Sequence, residues 1–202
     1  YQGSDPSPYL STADVVLILD HDVPYIPAFN TPSPGARIAI IDIDPVKKDI
    51  PLWSFNADML LHGDSSKSLT RILEKSRKLL SSKDKIRLDK KLEKLRVDHD
   101  TRFGEWTKLA MEKSRQKPID IMWLAHCINE VVDGDTIVIN ETVTSDMAVS
   151  RLVHTHRTGT WFSNGGSCLG WGLGASLGAK LAAPDKTVVC LMGDGAFLFG
   201  LV

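Results

Sequence analysis

A short apolar run, TVVCLM at 187–192, leads directly into the tripeptide Gly193-Asp194-Gly195. A continuous apolar run of this length is typical of a buried strand in a parallel sheet, which is covered on both faces. Glycines after such a strand predict a tight turn, where backbone N–H groups are open to a ligand. The segment therefore favours folds in which a buried strand ends in an acidic, glycine-rich turn.

Asp194 and the two glycines beside it suit one kind of ligand. A carboxylate is a hard oxygen ligand for Mg²⁺. Glycine lets backbone amides approach phosphate oxygens, and the N-terminus of a following helix would add a favourable dipole. The turn is therefore a candidate site for a divalent cation and a diphosphate held together. A plain strand-end turn is the alternative, because Gly and Asp are also common turn residues.

The overall composition narrows the class of protein. Hydrophobic residues make up 43% of the chain and charged residues 24%, as in ordinary soluble globular proteins. The formal net charge of −1 gives no support for binding to nucleic acid or to an acidic membrane. No apolar run reaches the roughly 18 to 20 residues of a membrane span. We therefore expect neither a nucleic-acid partner nor a membrane partner.

Three cysteines, Cys127, Cys168 and Cys190, lie far apart in the sequence, and none belongs to a CxxC pair. They predict neither a zinc site nor a disulfide framework, and they fit a reducing compartment. No signal peptide is visible, but the chain begins with Tyr1 rather than Met, so a targeting segment is not observable. We expect the cytoplasm or an organelle matrix.

The first 66 residues predict an α/β domain. Val15–Leu19 is a branched apolar run that predicts a buried parallel strand, and residues 37–43 predict a second strand. A proline-rich loop separates the two strands. After them comes a loop with one short element, and Ser65 or Ser66 could cap the next helix.

Residues 67–117 have a different character. They contain 17 Lys or Arg and 8 Asp or Glu, so this segment is strongly basic whereas the rest of the chain is acidic. Their leucines and isoleucines recur at roughly helical spacing. We predict two or three amphipathic helices with a solvated charged face, because acidic residues are interleaved with the basic ones. A patch for nucleic acid or for an acidic partner is the less favoured alternative.

From residue 118 the α/β pattern returns. Residues 121–132 predict a helix and residues 136–140 predict a strand. A Gly/Ser-rich loop at 159–167 then leads into a second helix at 169–183.

Glycines in this second helix suggest how it packs. Gly170, Gly174 and Gly178 lie four residues apart and therefore on one face. Glycine has no side chain to hold two surfaces apart. For Gly174 and Gly178 we therefore expect close packing of the helix on a sheet.

Between residues 137 and 200, a Gly-rich segment, a helix of small residues, a buried strand and Gly-Asp-Gly follow one another. In that order they resemble the cofactor-binding domain of thiamine-diphosphate-dependent enzymes, most closely the acetolactate synthase and benzoylformate decarboxylase branch. The resemblance implies an α/β fold in three parts. These are a Rossmann-like central domain at 1–66, a basic helical linker at 67–117 and the first half of a parallel-sheet thiamine-diphosphate-binding domain at 118–202.

The resemblance assigns metal and diphosphate to the same turn. Asp194 matches the aspartate that ligates Mg²⁺, and Gly193, Gly195 and Ala196 match positions whose backbone contacts the diphosphate. The family has a second side-chain metal ligand farther along the chain, and a glutamate from another domain acts on the pyrimidine ring. We therefore expect this chain to be an incomplete fragment without activity of its own.

Two further residues take roles from the resemblance. Leu169 matches the bulky apolar residue under the thiazolium ring, which keeps the cofactor bent, and it is our catalytic candidate. Ordinary packing at the start of a helix is its alternative. Residues 140–145 resemble the segment that begins the diphosphate-facing loop, in which Thr144 is the best cofactor-binding candidate by its hydroxyl or backbone. A helix N-cap is the alternative for Thr144.

The implied activity is thiamine-diphosphate- and Mg²⁺-dependent decarboxylation of a 2-keto acid, or carboligation as in acetolactate synthesis. In such enzymes the cofactor serves as the electron sink. Family members bind the cofactor between subunits, so the resemblance implies a homodimer or homotetramer.

Two other interpretations stay open. The chain could be a non-catalytic remnant or binding protein. Alternatively, its first domain could bind a nucleotide through Asp42 or Asp44, because an acid at the carboxyl end of a strand can bind a ribose hydroxyl. Some family members carry FAD or ADP in this domain and many carry nothing, so FAD is possible but unsupported here. No GxGxxG follows Val15–Leu19, which argues against classical NAD binding. Turn or cap formation is the simpler role for both aspartates.

Overall fold

The computed structural model describes residues 6–51, 53–166 and 168–201. The chain divides into two compact units, residues 2–93 and residues 94–202, and each contains its own parallel sheet. The subdivision predicted from the sequence, with boundaries after residues 66 and 117, stays a prediction.

The first unit is built on a three-stranded parallel sheet, in which the strands lie side by side in the order of the sequence. Ile18 of the first strand and Ile40 of the second are buried and pack with Tyr25 from the connecting loop. The elements are α1 (Ser7–Leu10), β1 (Val15–Leu19), β2 (Arg37–Asp42), β3 (Met59–His62) and α2 (Ser65–Leu79), followed by the start of α3 (Ser82–Glu112).

The strands predicted in this unit are present, with one change of boundary. The burial predicted for β1 was wrong, because β1 is an outer strand of the described sheet and only its Ile18 is buried. β1 has the predicted bounds, and β3 is the short element expected before the helix. β2 ends at Asp42, because the next residue, Ile43, is 72% exposed and the Asp42 side chain accepts a hydrogen bond from the N–H of Asp44. An aspartate that bonds to the backbone two residues later starts a turn and ends the strand.

The N-cap predicted for α2 was wrong. The helix begins at Ser65, and its cap is Asp64, whose carboxylate accepts a hydrogen bond from the N–H of Lys67 at 2.8 Å. Aspartate is among the preferred N-cap residues because it satisfies an N–H that has no partner within the helix.

The basic segment forms the predicted helices. α2 and the long α3 carry most of its charges, and only Ala110 of α3 is buried among the described residues. Within the part of the chain that the structure describes, no helix is both long enough and apolar enough to cross a membrane.

The second unit contains a three-stranded parallel sheet, in which β4 (Thr136–Glu141) lies between β5 (Trp161–Ser163) and β6 (Thr187–Met192). Every residue of β4 is buried, as expected of a central strand with both neighbours paired. Its elements after α3 are α4 (Ile121–Asn129), β4 (Thr136–Glu141), α5 (Asp146–Leu152), β5 (Trp161–Ser163), α6 (Trp171–Ala182), β6 (Thr187–Met192) and α7 (Asp194–Phe199).

Several boundaries in this unit differ from the predictions, and one strand was not predicted. β4 ends at Glu141, one residue later than predicted, and α6 ends at Ala182, one residue earlier. α4 ends at Asn129 rather than at residue 132, and β5 lies inside the segment predicted as a Gly/Ser-rich loop. α6 begins at Trp171 rather than at Leu169. Gly170 has φ +94°, a left-handed conformation that a right-handed helix does not contain, so the helix begins after it.

The packing predicted for Gly174 and Gly178 was also wrong. A methyl group added at either glycine would meet nothing within 4 Å among the described residues. The buried glycine of α6 is Gly172, where a methyl group would lie 2.7 Å from Oε2 of Glu141 and 3.4 Å from Sγ of Cys190. α6 therefore approaches β4 and β6 through a different face, one that includes Gly172.

Candidate functional site

The candidate site lies at one edge of the second sheet. β4, β5 and β6 are parallel, so their carboxyl ends lie at the same edge. The residues that follow these ends are Thr142 after β4, Asn164 after β5 and Gly193 after β6. Ligands of open α/β sheets bind at this edge, outside the carboxyl ends of the strands.

Asn140 at the end of β4 fixes the loop that leads into α5. Its Oδ1 accepts hydrogen bonds from the N–H and the hydroxyl of Thr142, at 3.2 and 2.7 Å. Its Nδ2 donates to Oδ1 of Asp146 in the first turn of α5, at 2.9 Å. One amide side chain therefore holds both ends of the loop that contains Val143 and Thr144.

Thr144 is exposed in the turn before α5. The N-cap position of α5 belongs to Ser145, whose side chain makes no capping hydrogen bond among the described residues. The interpretation of Thr144 as a helix N-cap was therefore wrong, and its role toward a cofactor stays a prediction.

A cavity of about 560 Å³ opens beside this loop. Its size falls within the range of small-molecule and cofactor pockets, roughly 300 to 1,000 Å³. The wall combines amide and carboxyl groups with two apolar side chains. It is formed by residues 140–143, Asp146, Ser163, Asn164 and Leu169.

Leu169 is one of the apolar side chains in this wall, and it is 45% exposed. It lies one residue before the left-handed Gly170 and two before the start of α6, so it is not a helical residue. Its position at the rim of a cavity leaves an apolar surface open to a ligand.

Glu141 is a residue of this site that the sequence analysis did not select. Its side chain is buried, and its two oxygens accept hydrogen bonds from the N–H groups of Gly170 and Gly172, both at 2.5 Å. The available signal was an acidic residue at the end of an apolar strand, together with the Gly-Trp-Gly run at the start of α6. Neither feature shows from sequence alone that the two segments meet.

Asp194 is the first residue of α7 and is exposed. Its Oδ1 accepts a hydrogen bond from the N–H of Gly195 at 2.8 Å. Gly193 is extended, and neither Gly193 nor Gly195 has a positive φ. A methyl group at either glycine would meet nothing within 4 Å among the described residues, so both glycines face open space.

The structure does not bring every predicted residue into one pocket. Asp194 does not line the cavity beside Leu169, although both follow the same edge of the sheet. Ala196 is buried, and only its backbone was predicted to contact the diphosphate. Within residues 6–51, 53–166 and 168–201, no group of three or more His, Cys, Asp or Glu could hold a metal ion.

These residues fit Mg²⁺ and a diphosphate cofactor in their chemistry. Asp194 offers an exposed carboxylate, which is the oxygen donor that Mg²⁺ prefers, together with space for water and phosphate ligands. The two open glycines allow phosphate oxygens to approach the backbone, and the cavity at Leu169 offers an apolar surface beside polar groups.

The first unit has its own cavity, of about 450 Å³, at the carboxyl end of β2. Asp42 in its wall is 2% exposed and forms an ion pair with Lys47, with 2.6 Å between Oδ2 and Nζ. Its other oxygen accepts the N–H of Asp44. Both oxygens are therefore engaged, which favours turn formation over ribose binding for Asp42.

Known proteins resemble this chain over most of its length. Residues 141–201 match the family described as "Thiamine pyrophosphate enzyme, C-terminal TPP binding domain". A probable acetolactate synthase large subunit of Methanococcus aeolicus is 27% identical over 210 residues, which cover 97% of this chain and 34% of the relative. The acetolactate synthase isozyme 3 large subunit of Escherichia coli is 29% identical over 170 residues, 81% of this chain and 27% of the relative.

The chain thus spans about a third or less of the length of these curated relatives. Among solved structures, the thiamine diphosphate-dependent 4-hydroxybenzoylformate decarboxylase of Rhodococcus jostii RHA1 matches with a TM-score of 0.61 and 19% identity. The match covers 98% of this chain and 34% of that structure, and at this identity it shows the fold. The predicted α/β fold class and the predicted family resemblance are both confirmed.

Proposed function

We propose that this chain, a member of the thiamine-diphosphate-dependent enzyme family, forms the Mg²⁺- and diphosphate-binding part of a 2-keto acid decarboxylase or carboligase. The observation that carries the proposal is that Leu169, after β5, and Asp194, after β6, both follow the carboxyl ends of strands in one parallel sheet. This edge is where α/β sheets bind their ligands. The family match over residues 141–201 includes both side chains.

Each residue would have a separate task in binding. Asp194 would hold Mg²⁺ through a carboxylate oxygen, and the backbone of Gly193, Gly195 and Ala196 would face the diphosphate. Leu169 would offer its apolar surface to the thiazolium ring, and the loop containing Thr144 would close the other side of the cavity. When bound, thiamine diphosphate supplies the electron sink for cleavage beside a keto group.

The reaction class rests on the relatives. Two acetolactate synthase large subunits align with most of this chain, which supports a 2-keto acid as substrate and an acetolactate synthase-like carboligation or decarboxylation. We propose that the working form is a homodimer or homotetramer. We also propose that the 202 residues alone have no turnover, because Asp194 has no cluster of further metal-ligating side chains among the described residues.

The decisive assay measures CO₂ release from pyruvate and from benzoylformate by the full-length protein that contains these residues. The assay includes thiamine diphosphate and Mg²⁺. We expect turnover with at least one 2-keto acid and its loss in Asp194→Ala. Asp185→Asn is the matched control, because this exposed aspartate precedes β6 and so lies at the opposite end of the same strand. Absence of turnover with every 2-keto acid, or full turnover in Asp194→Ala, would contradict the proposal.

A further inference from the structure

We propose that Glu141 is a positioning residue that holds the segment carrying Leu169 in place for the cofactor. The inference rests on the proposed function, because it concerns how the cofactor site is held together. Glu141 itself lies at the end of β4, and it acts through the backbone of Gly170 and Gly172.

The carboxylate of Glu141 joins two segments that are distant in sequence. Oε1 accepts the N–H of Gly170, which is 29 residues away, and Oε2 accepts the N–H of Gly172, which is 31 residues away. Gly172 lies in the first turn of α6, where backbone N–H groups have no partner within the helix. The N-cap residue, Gly170, has no side chain to satisfy them. Glu141 therefore caps α6 from another strand.

This arrangement needs a carboxylate rather than another polar side chain. A carboxylate accepts hydrogen bonds with both oxygens, whereas the amide of glutamine accepts with only one and would direct an N–H₂ group at a backbone donor. Hydrogen bonds to an ionised acceptor are also about twice as strong as neutral ones. Glu141→Gln keeps the size of the side chain and removes half of its accepting capacity.

The other contacts of Gly172 show that position 172 has room only for a glycine. Its carbonyl oxygen accepts a hydrogen bond from Sγ of Cys190 on β6, at 3.5 Å. A methyl group at Gly172 would approach Oε2 of Glu141 to 2.7 Å. The peptide is therefore held between β4 and β6, with no room for a side chain.

Gly170 is held on its other side by the end of α7. A methyl group at Gly170 would lie 2.9 Å from the backbone of both Phe199 and Gly200. A methyl group at Gly200 would lie 2.9 Å from the carbonyl oxygen of Gly170. The backbone beside Leu169 is thus confined between Glu141 and α7, the helix that begins with Asp194. This packing links the cavity at Leu169 to the turn that carries Asp194.

The first test measures amide exchange by NMR in the 202-residue chain. In Glu141→Gln we expect the N–H of Gly170 or Gly172 to exchange at least about tenfold faster, because it loses a charged acceptor. Unchanged exchange at both glycines would overturn the inference. This readout does not depend on any cofactor.

The second test measures Mg²⁺-dependent thiamine diphosphate binding by calorimetry in the full-length protein. We expect Glu141→Gln to weaken binding roughly 10- to 100-fold, the usual effect of removing a residue that orients a binding group. Asp133→Asn is the matched control. Asp133 lies beyond the opposite end of β4, and its Oδ1 accepts bonds from the N–H of Asp135 and the hydroxyl of Thr136, at 2.9 and 2.7 Å.

Thermal unfolding of both variants separates positioning from general destabilisation. Similar decreases in melting temperature with weaker binding only in Glu141→Gln would support the inference. Equal binding by Glu141→Gln and the wild type, or an equal loss in Asp133→Asn, would overturn it while the proposed function stands. No binding by the wild type would overturn the proposed function and, with it, this role of Glu141.

Discussion

Oε2 of Glu141 and the backbone nitrogen of Gly172 lie 2.5 Å apart, although 31 residues separate them in the sequence. This bond joins the end of β4 to the first turn of α6. The bond lies beside Cys190. Burial raises the pKa of the Cys190 thiol, and the nearby carboxylate of Glu141 raises this pKa further. The start of α6 is therefore set by a contact between strand and helix, and two neighbouring glycines of this helix should respond differently to substitution.

Gly172→Ala should destabilise the chain, because its methyl group would overlap Oε2 of Glu141. We expect a loss of about 1 to 3 kcal/mol in the free energy of unfolding, as for other overpacked sites. Gly174→Ala should stabilise the chain by about 0.5 to 1 kcal/mol, because the added methyl group meets nothing and alanine is the better helix former. Urea unfolding of the 202-residue chain measures both, and equal effects would contradict the packing of α6.

Asp64→Ala should cost about 1 kcal/mol, because it removes the acceptor for the N–H of Lys67 at the start of α2. Ser66→Ala is the control, since Ser66 lies inside the helix and does not cap it. Urea unfolding followed by far-ultraviolet circular dichroism compares the two. A larger loss in Ser66→Ala would show that the cap is assigned to the wrong residue.

Lys47→Met should destabilise the first unit by about 3 kcal/mol, because it leaves the buried carboxylate of Asp42 without its cation. Lys48→Met removes the same charge from an exposed neighbour and should have little effect. The urea midpoints of both variants at neutral pH measure the difference. Equal midpoints would contradict the importance of the buried pair.

The same ion pair predicts a dependence on pH. Burial opposes ionisation of Asp42, but the N–H of Asp44 and the ammonium of Lys47 prevail and lower the pKa of Asp42. Hydrogen bonds to Asp42 and Asp22 raise the pKa of Lys47. The stabilisation should therefore be present between about pH 4 and pH 10, and fade as the pH falls through the lowered pKa of Asp42 or rises through that of Lys47. A destabilisation by Lys47→Met that is as large in acid as at pH 7 would refute this.

Much of the fold could be predicted from apolar runs. Val15–Leu19 and Thr187–Met192 are parallel strands, as their continuous branched runs predicted. The prediction that they are buried was wrong, because each is an outer strand of its described sheet: only Ile18 of β1 is buried, and no residue of β6 is. β5 was missed because its three residues, Trp161–Ser163, are too few to show a period and stand among glycines and serines. It is a strand because it pairs with β4, which is a tertiary effect.

The candidate site was predictable where one short segment carries the chemistry. Asp194 and its glycines are contiguous, so their place after a strand and at the start of a helix followed from the sequence. Glu141 was missed because its partners are about 30 residues away and are backbone groups, which no spacing rule identifies. Gly174 was misassigned because a spacing of four residues gives a helix face, but not the face that meets the sheet.

The most direct measurement of the central claim is calorimetric titration of thiamine diphosphate into the full-length protein that contains these residues. It is done with Mg²⁺ and with the metal removed by a chelator, for the wild type and for Asp194→Asn. We expect binding by the wild type only with Mg²⁺, and a loss of at least about 100-fold in Asp194→Asn, which replaces a charged metal ligand by a neutral one. Binding that needs no Mg²⁺, or equal affinity in Asp194→Asn, would contradict the placement of metal and diphosphate at the turn after β6.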